Sequence, residues 1–116
     1  MSVLTDENRY WILKLLEQNP SLSQRELADA MGISLGKTNY CLNVLIGNGL
    51  VKSDHARGGN GRQPHAYYLT SEGRQEKRRV TLQYLAHKQQ ELETLAGELE
   101  ELQREVAELK LEQDGE

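Results

Sequence analysis

The stretch at 23–48, SQRELADAMGISLGKTNYCLNVLIGN, most constrains the fold because it contains start and stop signals for two short helices. Ser23 stands three residues before Glu26, a spacing at which each side chain can accept a hydrogen bond from the other residue's backbone N–H. Gly32 provides the backbone freedom that ends the first helix, and Ser34 can cap the second. We therefore predict two helices joined by a three-residue turn, a helix-turn-helix.

The segment before this motif predicts another helix. Thr5 with two acidic residues behind it marks the start, because acidic side chains are favourable at the positive end of a helix dipole. An apolar face then runs through Trp11, Ile12, Leu15 and Leu16 to about Gln18. Asn19-Pro20 ends the helix, because the residue before a proline resists helical geometry. The link at 21–23 reads as extended and is open to pairing as a minor strand.

After the motif the pattern changes to short strands. Gly49 is the expected left-handed residue that ends the third helix, and residues 50–55 and 66–70 read as two strands. The loop between them, RGGNGRQP, is rich in glycine and predicts a long hairpin. Three helices followed by a two-stranded hairpin form a winged helix, in which the hairpin is the wing.

The remainder of the chain predicts one long helix with an N-cap at Thr70 or Ser71. Its leucines recur at the alternating three- and four-residue spacing of a coiled coil, with Thr81 and Lys88 as upstream exceptions. The expected dimerisation seam is Leu85, Leu92, Leu95, Leu99, Leu102, Val106 and Leu109. Glutamates occupy the g positions of this heptad, and in a parallel pair Glu105 meets Lys110 of the other helix. The charges therefore favour a parallel homodimer, although exposed pairs contribute only a few tenths of a kcal/mol.

Charge is divided unevenly along the 116 residues. The chain carries a net −4, but residues 1–88 hold 12 Lys/Arg against 8 Asp/Glu, whereas residues 89–116 hold 2 against 10. A mildly basic N-terminal part is therefore hidden by an acidic C-terminal part. The local charge, and not the total, governs binding to phosphates.

The same composition argues against several other classes of protein. Cys41 is the one cysteine, so no intrachain disulfide or cysteine-rich zinc site can form. His55, His65 and His87 lack metal-ligand spacing on one element, and no catalytic constellation is visible, so we expect no metal, no cofactor and no enzyme. We expect no signal peptide or membrane span, and a cytoplasmic location. Cys41 is expected to be a packed small side chain, with redox sensing as the less favoured alternative.

Within a helix-turn-helix the second helix enters a DNA groove. On a helical wheel Leu35, Thr38, Leu42, Leu45 and Ile46 should pack inward. The opposite face should contact DNA, because Asn can pair with adenine, Lys with guanine or phosphate, and glycine allows close approach. The predicted reading residues are Gly36, Lys37, Asn39, Tyr40 and Asn43.

Further cations are placed to reach the DNA backbone. The wing residues Arg57, Asn60 and Arg62 are expected to enter a minor groove, with a solvated mobile loop as the alternative. Arg25 and Lys52 are expected to contact phosphates. For the basic cluster at 74–79, phosphate contact and an ordinary solvated face stay open.

The run LSQRELADAMGISLGKTNYCLNVLIGNGLVK, followed by a Gly/Arg wing and AYYLTSEG, resembles winged-helix regulators of the MarR type. The ISLGKTNYCLN segment is most similar to the MarR-family subgroup associated with exopolysaccharide genes. The resemblance covers about residues 8–95 and implies a dimeric, sequence-specific DNA-binding protein that acts on transcription. The chain differs from full-length MarR proteins in having one long C-terminal helix where two would pack.

These observations predict a mainly α fold with a small β-hairpin wing. Residues 1–70 are expected to form the winged helix-turn-helix DNA-binding domain, residues 71–112 a long coiled-coil helix, and residues 113–116 a disordered tail. The predicted function is that of a homodimeric transcriptional regulator of double-stranded DNA, with exopolysaccharide biosynthesis genes as the candidate target. The alternative is a protein-interaction adaptor that uses the coiled coil, with the winged helix as a scaffold.

Overall fold

The computed structural model describes residues 4–54 and 66–115, and it confirms the predicted fold class. Three helices come first, followed by a two-stranded antiparallel hairpin and a long last helix. They are α1 (Asp6–Gln18), α2 (Gln24–Met31), α3 (Leu35–Gly47), β1 (Val51–Asp54), β2 (Ala66–Leu69) and α4 (Ser71–Asp114). The chain forms two compact units, one up to Tyr84 and the other from Leu85 onward.

The helix starts follow the predicted caps. The backbone N–H of Glu26 donates to Ser23 Oγ at 3.1 Å, and the N–H of Ser23 donates back to Glu26 Oε1 at 2.9 Å. The N–H of Ser23 is also the main reason why the pKa of Glu26 lies below its usual value. Ser34 Oγ caps α3 by accepting from the N–H of Lys37 at 3.1 Å. Gly32 ends α2 with φ of 69°, a left-handed conformation that suits glycine.

The core of the first unit is built from one face of each helix and completed by the hairpin and the start of α4. Leu13 is fully buried although the sequence pattern did not place it inward, whereas Trp11 is only half-buried and packs beside Tyr10 and Tyr84. Leu35, expected inside, is 41% exposed because it is the first residue of α3, a turn before the first buried position. The largest fully buried side chains are Ile12, Leu13, Leu16, Leu27, Leu42, Leu45, Val51 and Val80.

The hairpin pairs Val51 with Leu69 and Asp54 with Ala66. The minor strand considered for residues 21–23 is absent from the described part of the chain, where the sheet has two strands. Local bonds explain this, because Asn19 Oδ1 accepts the N–H of Ser21 at 3.1 Å and the Asn19 carbonyl accepts the next N–H at 3.3 Å. The N–H of Tyr67 in β2 donates to the carbonyl of Pro20 at 2.9 Å, just before this region.

The junction between β2 and α4 is held against the start of β1. Gly49 takes a φ of 77°, as expected for the residue after α3. Thr70 caps α4 by accepting the N–H of Gly73 at 3.0 Å, and its hydroxyl donates to the carbonyl of Gly49 at 2.6 Å. The backbone N–H of Thr70 donates to the carbonyl of Leu50 at 3.0 Å. The first turn of α4 is therefore fixed to the end of α3 and the beginning of β1.

Ion pairs attach α1 to the first turns of α4. Glu76 accepts from Arg9 at 2.5 Å and from Arg79 at 2.7 Å, while Lys77 reaches Glu17 at 2.6 Å. The bond from Arg79 is the main cause that holds the pKa of Glu76 below its usual value, and the same pair raises the pKa of Arg79. The first unit thus extends to Tyr84, beyond the boundary at residue 70 that the end of the hairpin suggested.

The second unit is a single helical segment in which every described side chain is exposed. α4 continues to Asp114, so residues 113 and 114 are helical where a disordered tail was expected. The N–H of Gly115 extends the bonding by donating to the carbonyl of Leu111 at 2.8 Å. None of the helices in the described ranges is both long and apolar enough to cross a membrane.

Candidate nucleic-acid interface

The two faces of α3 have opposite characters. Its inward face consists of Thr38, Cys41, Leu42 and Leu45, all fully buried. The five predicted reading residues all lie on the exposed side: Gly36, Lys37, Asn39, Tyr40 and Asn43. The structure therefore brings together an amide-rich polar surface on one helix, and the opposite face of that helix is buried in the core.

Gly36 and Tyr40 determine the shape of this surface. Apart from Gly36 itself, its two chain neighbours and the backbone of its own helix, no heavy atom lies within 4 Å of the position that a Cβ on Gly36 would occupy, so the backbone in the first turn is open to an approaching molecule. Tyr40 lies one turn farther along and is 50% exposed, a large fraction for an aromatic side chain. A partly exposed tyrosine offers both an apolar ring and a hydroxyl donor, which suits contact with a thymine methyl or a phosphate.

A chain of side-chain hydrogen bonds runs into this surface from the core. Asn43 Nδ2 donates to Asn39 Oδ1 at 3.1 Å, and Asn39 Nδ2 donates to Gln24 Oε1 at 3.1 Å. Gln24 Nε2 in turn donates to the hydroxyl oxygen of Tyr67 at 3.1 Å. Gln24 and Tyr67 were not predicted to belong to this surface, because their partners lie 15 and 43 residues away and no local spacing marks such contacts.

Among the described residues, some cations of the first unit are paired with carboxylates, and others are not. Lys77 and Arg79 belong to the basic cluster at 74–79 and are committed to carboxylates of α1 and α4. Arg25, Lys37 and Lys52 are exposed, and no ion pair forms at these three within residues 4–54 and 66–115. These three side chains therefore keep their charge available for an anionic partner, and Lys37 lies on the α3 surface itself.

The predicted wing residues Arg57, Asn60 and Arg62 lie outside the described residues, as do His55 and His65. β1 and β2 are described up to Asp54 and from Ala66. The predicted role of these wing side chains in a minor groove therefore stays a prediction.

Cys41 is packed in the apolar core beneath the α3 surface. Burial raises the pKa of its thiol, which disfavours the reactive thiolate. In the part of the chain that the structure covers, no three His, Cys, Asp or Glu side chains gather in a way that could hold a metal ion.

Residues 5–52 match the family model described as winged helix-turn-helix DNA-binding. This match and the element order define the first unit as a winged helix-turn-helix domain. The comparison with curated proteins found no match.

Several solved structures share the fold. The PcaV transcriptional regulator from Streptomyces coelicolor is 23% identical with a TM-score of 0.60, over 75% of this chain and 65% of that one. The transcriptional repressor CouR, bound to a 23-mer DNA duplex, is 30% identical with a TM-score of 0.52, over 62% and 49% of the two chains. Staphylococcus aureus MarR, in complex with salicylate and kanamycin, is 21% identical with a TM-score of 0.55, over 70% and 53%.

The neighbours in structure are thus transcriptional regulators that include a MarR protein, in agreement with the resemblance found in the sequence. The chain spans about half to just under two thirds of the length of these relatives. For this chain, the comparisons show the winged-helix fold.

Proposed function

We propose that this protein is a sequence-specific, double-stranded-DNA-binding transcriptional regulator that acts as a homodimer. The observation that carries the proposal is the exposed amide and lysine surface of α3, held on a buried core in the position of a recognition helix. Asparagine amides on such a surface can read adenine, and Lys37 can pair with guanine or a phosphate. The CouR repressor, which shares the fold, was solved bound to a DNA duplex.

The distribution of charge supports the same partner. Residues 1–88 carry a net +4, and Arg25, Lys37 and Lys52 keep exposed cationic side chains on the helix-turn-helix and β1. The acidic stretch at 89–116 would be repelled by phosphate, so we place the DNA contacts entirely in the first unit. Binding is therefore expected to weaken steeply with added salt.

The test is selection of a preferred duplex from a random pool, followed by fluorescence anisotropy with that duplex and with a scrambled one. Wild-type protein should prefer the selected duplex, and Asn43→Ala should reduce that preference by about tenfold or more. Asn48→Ala is the matched control, because Asn48 is also exposed but lies past the end of α3. Equal affinity for selected and scrambled duplexes would refute sequence-specific regulation.

For the second unit we propose pairing with a second copy of this chain along the seam defined above. Its seven apolar side chains are between 49% and 67% exposed in the single chain, and they recur at coiled-coil spacing over four heptads. Fully burying a leucine contributes roughly 1.5–3 kcal/mol, so covering each of these partly exposed side chains contributes roughly 1–2 kcal/mol, and the seam can hold two helices together. Glu105 and Lys110 are complementary across a parallel pair, so we propose a parallel dimer with half-sites about 34 Å apart on a palindromic site.

Light scattering at micromolar concentration tests this pairing. Wild-type protein should have twice the mass of one chain, and Leu99→Asp should give the mass of a single chain. Leu111→Asp is the matched control, because Leu111 is 70% exposed but lies off the seam. A wild-type monomer would contradict self-pairing and would favour the adaptor function, in which the same helix binds another protein.

We further propose that the regulated genes include those of exopolysaccharide biosynthesis. The support is the similarity of residues 33–43, ISLGKTNYCLN, to the subgroup of MarR-type regulators associated with such genes. Chromatin immunoprecipitation of the tagged protein, followed by sequencing, should recover promoters of polysaccharide genes. Recovery of promoters without any such genes would refute this target while leaving the DNA-binding function intact.

A further inference from the structure

We propose that Gln24 is a positioning residue for base recognition, which sets the orientation of the Asn39 and Asn43 amides before DNA is bound. The inference rests on the proposed function of α3 in DNA binding. It assigns a role in specificity to a residue of α2 that lies on the opposite side of the turn from the reading surface.

The chain of side-chain hydrogen bonds begins at Tyr67, which is held in place by the fold. Tyr67 is only 3% exposed, it pairs with Ser53 in the hairpin, and its backbone N–H donates to the Pro20 carbonyl at 2.9 Å. Its hydroxyl oxygen accepts from Gln24 Nε2 at 3.1 Å. Gln24 is half-buried and is the first residue of α2, directly after the Ser23 cap. Both the backbone and the side chain of Gln24 are therefore fixed by bonds within the domain.

The bonds beyond Gln24 run in one direction. An amide has an acceptor oxygen at one end and a donor nitrogen at the other, so its two ends are not interchangeable. Because Gln24 presents its oxygen, Asn39 must turn its nitrogen inward and its oxygen toward Asn43. Rotating the Asn39 amide by half a turn would place oxygen against oxygen and nitrogen against nitrogen. The orientation of the Gln24 amide therefore sets the orientation of the Asn39 amide and, through it, that of Asn43.

The last amide retains the groups that a base can recognise. Asn43 uses one Nδ2 hydrogen for Asn39, which leaves its oxygen and a second N–H for an external partner. Adenine offers a matching pair in the major groove, its N6 amino donor and its N7 acceptor. Since the amide is already oriented, binding adenine there loses less conformational freedom than binding by an unrestrained side chain. We therefore assign adenine recognition to Asn43 and its orientation to Gln24.

The experiment replaces Gln24 by methionine, which has a similar volume and lacks the amide. Affinities of Gln24→Met are measured for the duplex selected by wild-type protein, for duplexes substituted at single positions, and for a scrambled duplex. We expect a loss of about two- to tenfold on the selected duplex, the effect of one hydrogen bond. The loss should be confined to base positions that Asn43→Ala also affects, with binding to scrambled DNA unchanged. Gln75→Met, the same change on the exposed surface of α4, should have no effect.

A double-mutant cycle separates positioning from a contact of Gln24 with DNA. If Gln24 acts through the asparagines, Gln24→Met should have no further effect when Asn39 is already alanine. Equal effects of Gln24→Met in both backgrounds, or equal losses on selected and scrambled duplexes, would overturn the inference. Tyr67→Phe removes only the terminal hydroxyl and should relax the same base positions to a smaller degree, so the idea stays falsifiable if Gln24→Met unfolds.

The outcomes also distinguish this inference from the proposed function. A wild-type protein without preference for any duplex would refute both. A wild-type protein that binds selectively and a Gln24→Met variant with unchanged selectivity would refute the positioning role alone. A loss of thermal stability in Gln24→Met without a change in base preference would show that the bonds serve only to join α2 to α3.

Discussion

Alanine at position 73 is expected to destabilise the winged helix, although alanine is a better helix former than glycine. Gly73 is buried in the first turn of α4, and a Cβ built on it lies 1.9 Å from the carbonyl oxygen of Leu50. Ordinary contacts between a carbon and an oxygen begin at about 3.3 Å. The first turn of α4 or the start of β1 must therefore move by more than about 1 Å to admit one methyl group.

The neighbouring bonds make that movement costly. The Leu50 carbonyl accepts from the backbone N–H of Thr70 at 3.0 Å and lies 3.1 Å from its hydroxyl oxygen. Overpacking costs about 1–3 kcal/mol, and one weakened hydrogen bond adds about 1 kcal/mol. The better helix propensity of alanine returns at most about 1 kcal/mol. We expect the free energy of unfolding to fall by about 1–3 kcal/mol, which corresponds to a Tm lowered by roughly 5–20 °C.

Urea denaturation followed by circular dichroism and by the fluorescence of Trp11, the one tryptophan, measures this change. Gly47→Ala is the matched control, because Gly47 is also helical and a Cβ there would meet nothing within 4 Å. Its free energy of unfolding should equal that of wild type or exceed it by up to about 1 kcal/mol, because alanine is the better helix former. A Gly73→Ala variant as stable as Gly47→Ala would refute the steric argument.

Three further changes test other parts of the first unit. Glu76→Gln removes the carboxylate that binds Arg9 and Arg79, so it should lower the free energy of unfolding by about 1–3 kcal/mol near pH 7. Because folding lowers the pKa of Glu76, this stabilisation is complete above the ordinary value of 4.5 and is lost as pH falls below it, so acid melts of the two proteins should converge; a pH-independent difference would contradict the assignment. Lys37→Ala should reduce the slope of log affinity against log salt by about one per protomer, whereas an unchanged slope would exclude a phosphate contact. Thr70→Ala should cost about 1–2 kcal/mol in urea melts, and Thr70→Ser should restore most of it if the hydroxyl is the capping group.

Much of the fold can be predicted from the sequence, because the residues that start and end its helices act on partners nearby in the chain. The caps at Ser23 and Ser34 and the left-handed residues Gly32 and Gly49 involve partners within a few positions, and the structure has each of them where it was expected. The exposed face of α3 follows from the same helical spacing. The helical wheel predicts that Leu35 is buried, and this prediction is wrong. Leu35 is the first residue of α3 and does not reach the core.

The features that the sequence did not predict depend on contacts between distant parts of the chain. Gln24 and Tyr67 are 43 residues apart, and nothing in their local context marks their bond. The sequence left open whether the basic residues of α4 contact phosphate or solvent, because it does not show that Lys77 pairs with Glu17 of α1. The predicted end of the first unit at residue 70 was too early for the same reason. Val80 is buried in the core, and nothing in the sequence near the hairpin predicts this contact.

The burial of Val80 has a consequence for how such a protein can be divided or recombined. A fragment ending at residue 70 would lack Val80, Glu76 and Lys77, and would expose an apolar surface that no other segment of it can cover. A fragment ending after Tyr84 keeps the entire set. Exchange of the first unit between proteins that share this fold should therefore succeed when the crossover falls inside α4 after Tyr84, and fail when it falls at residue 70, between β2 and α4.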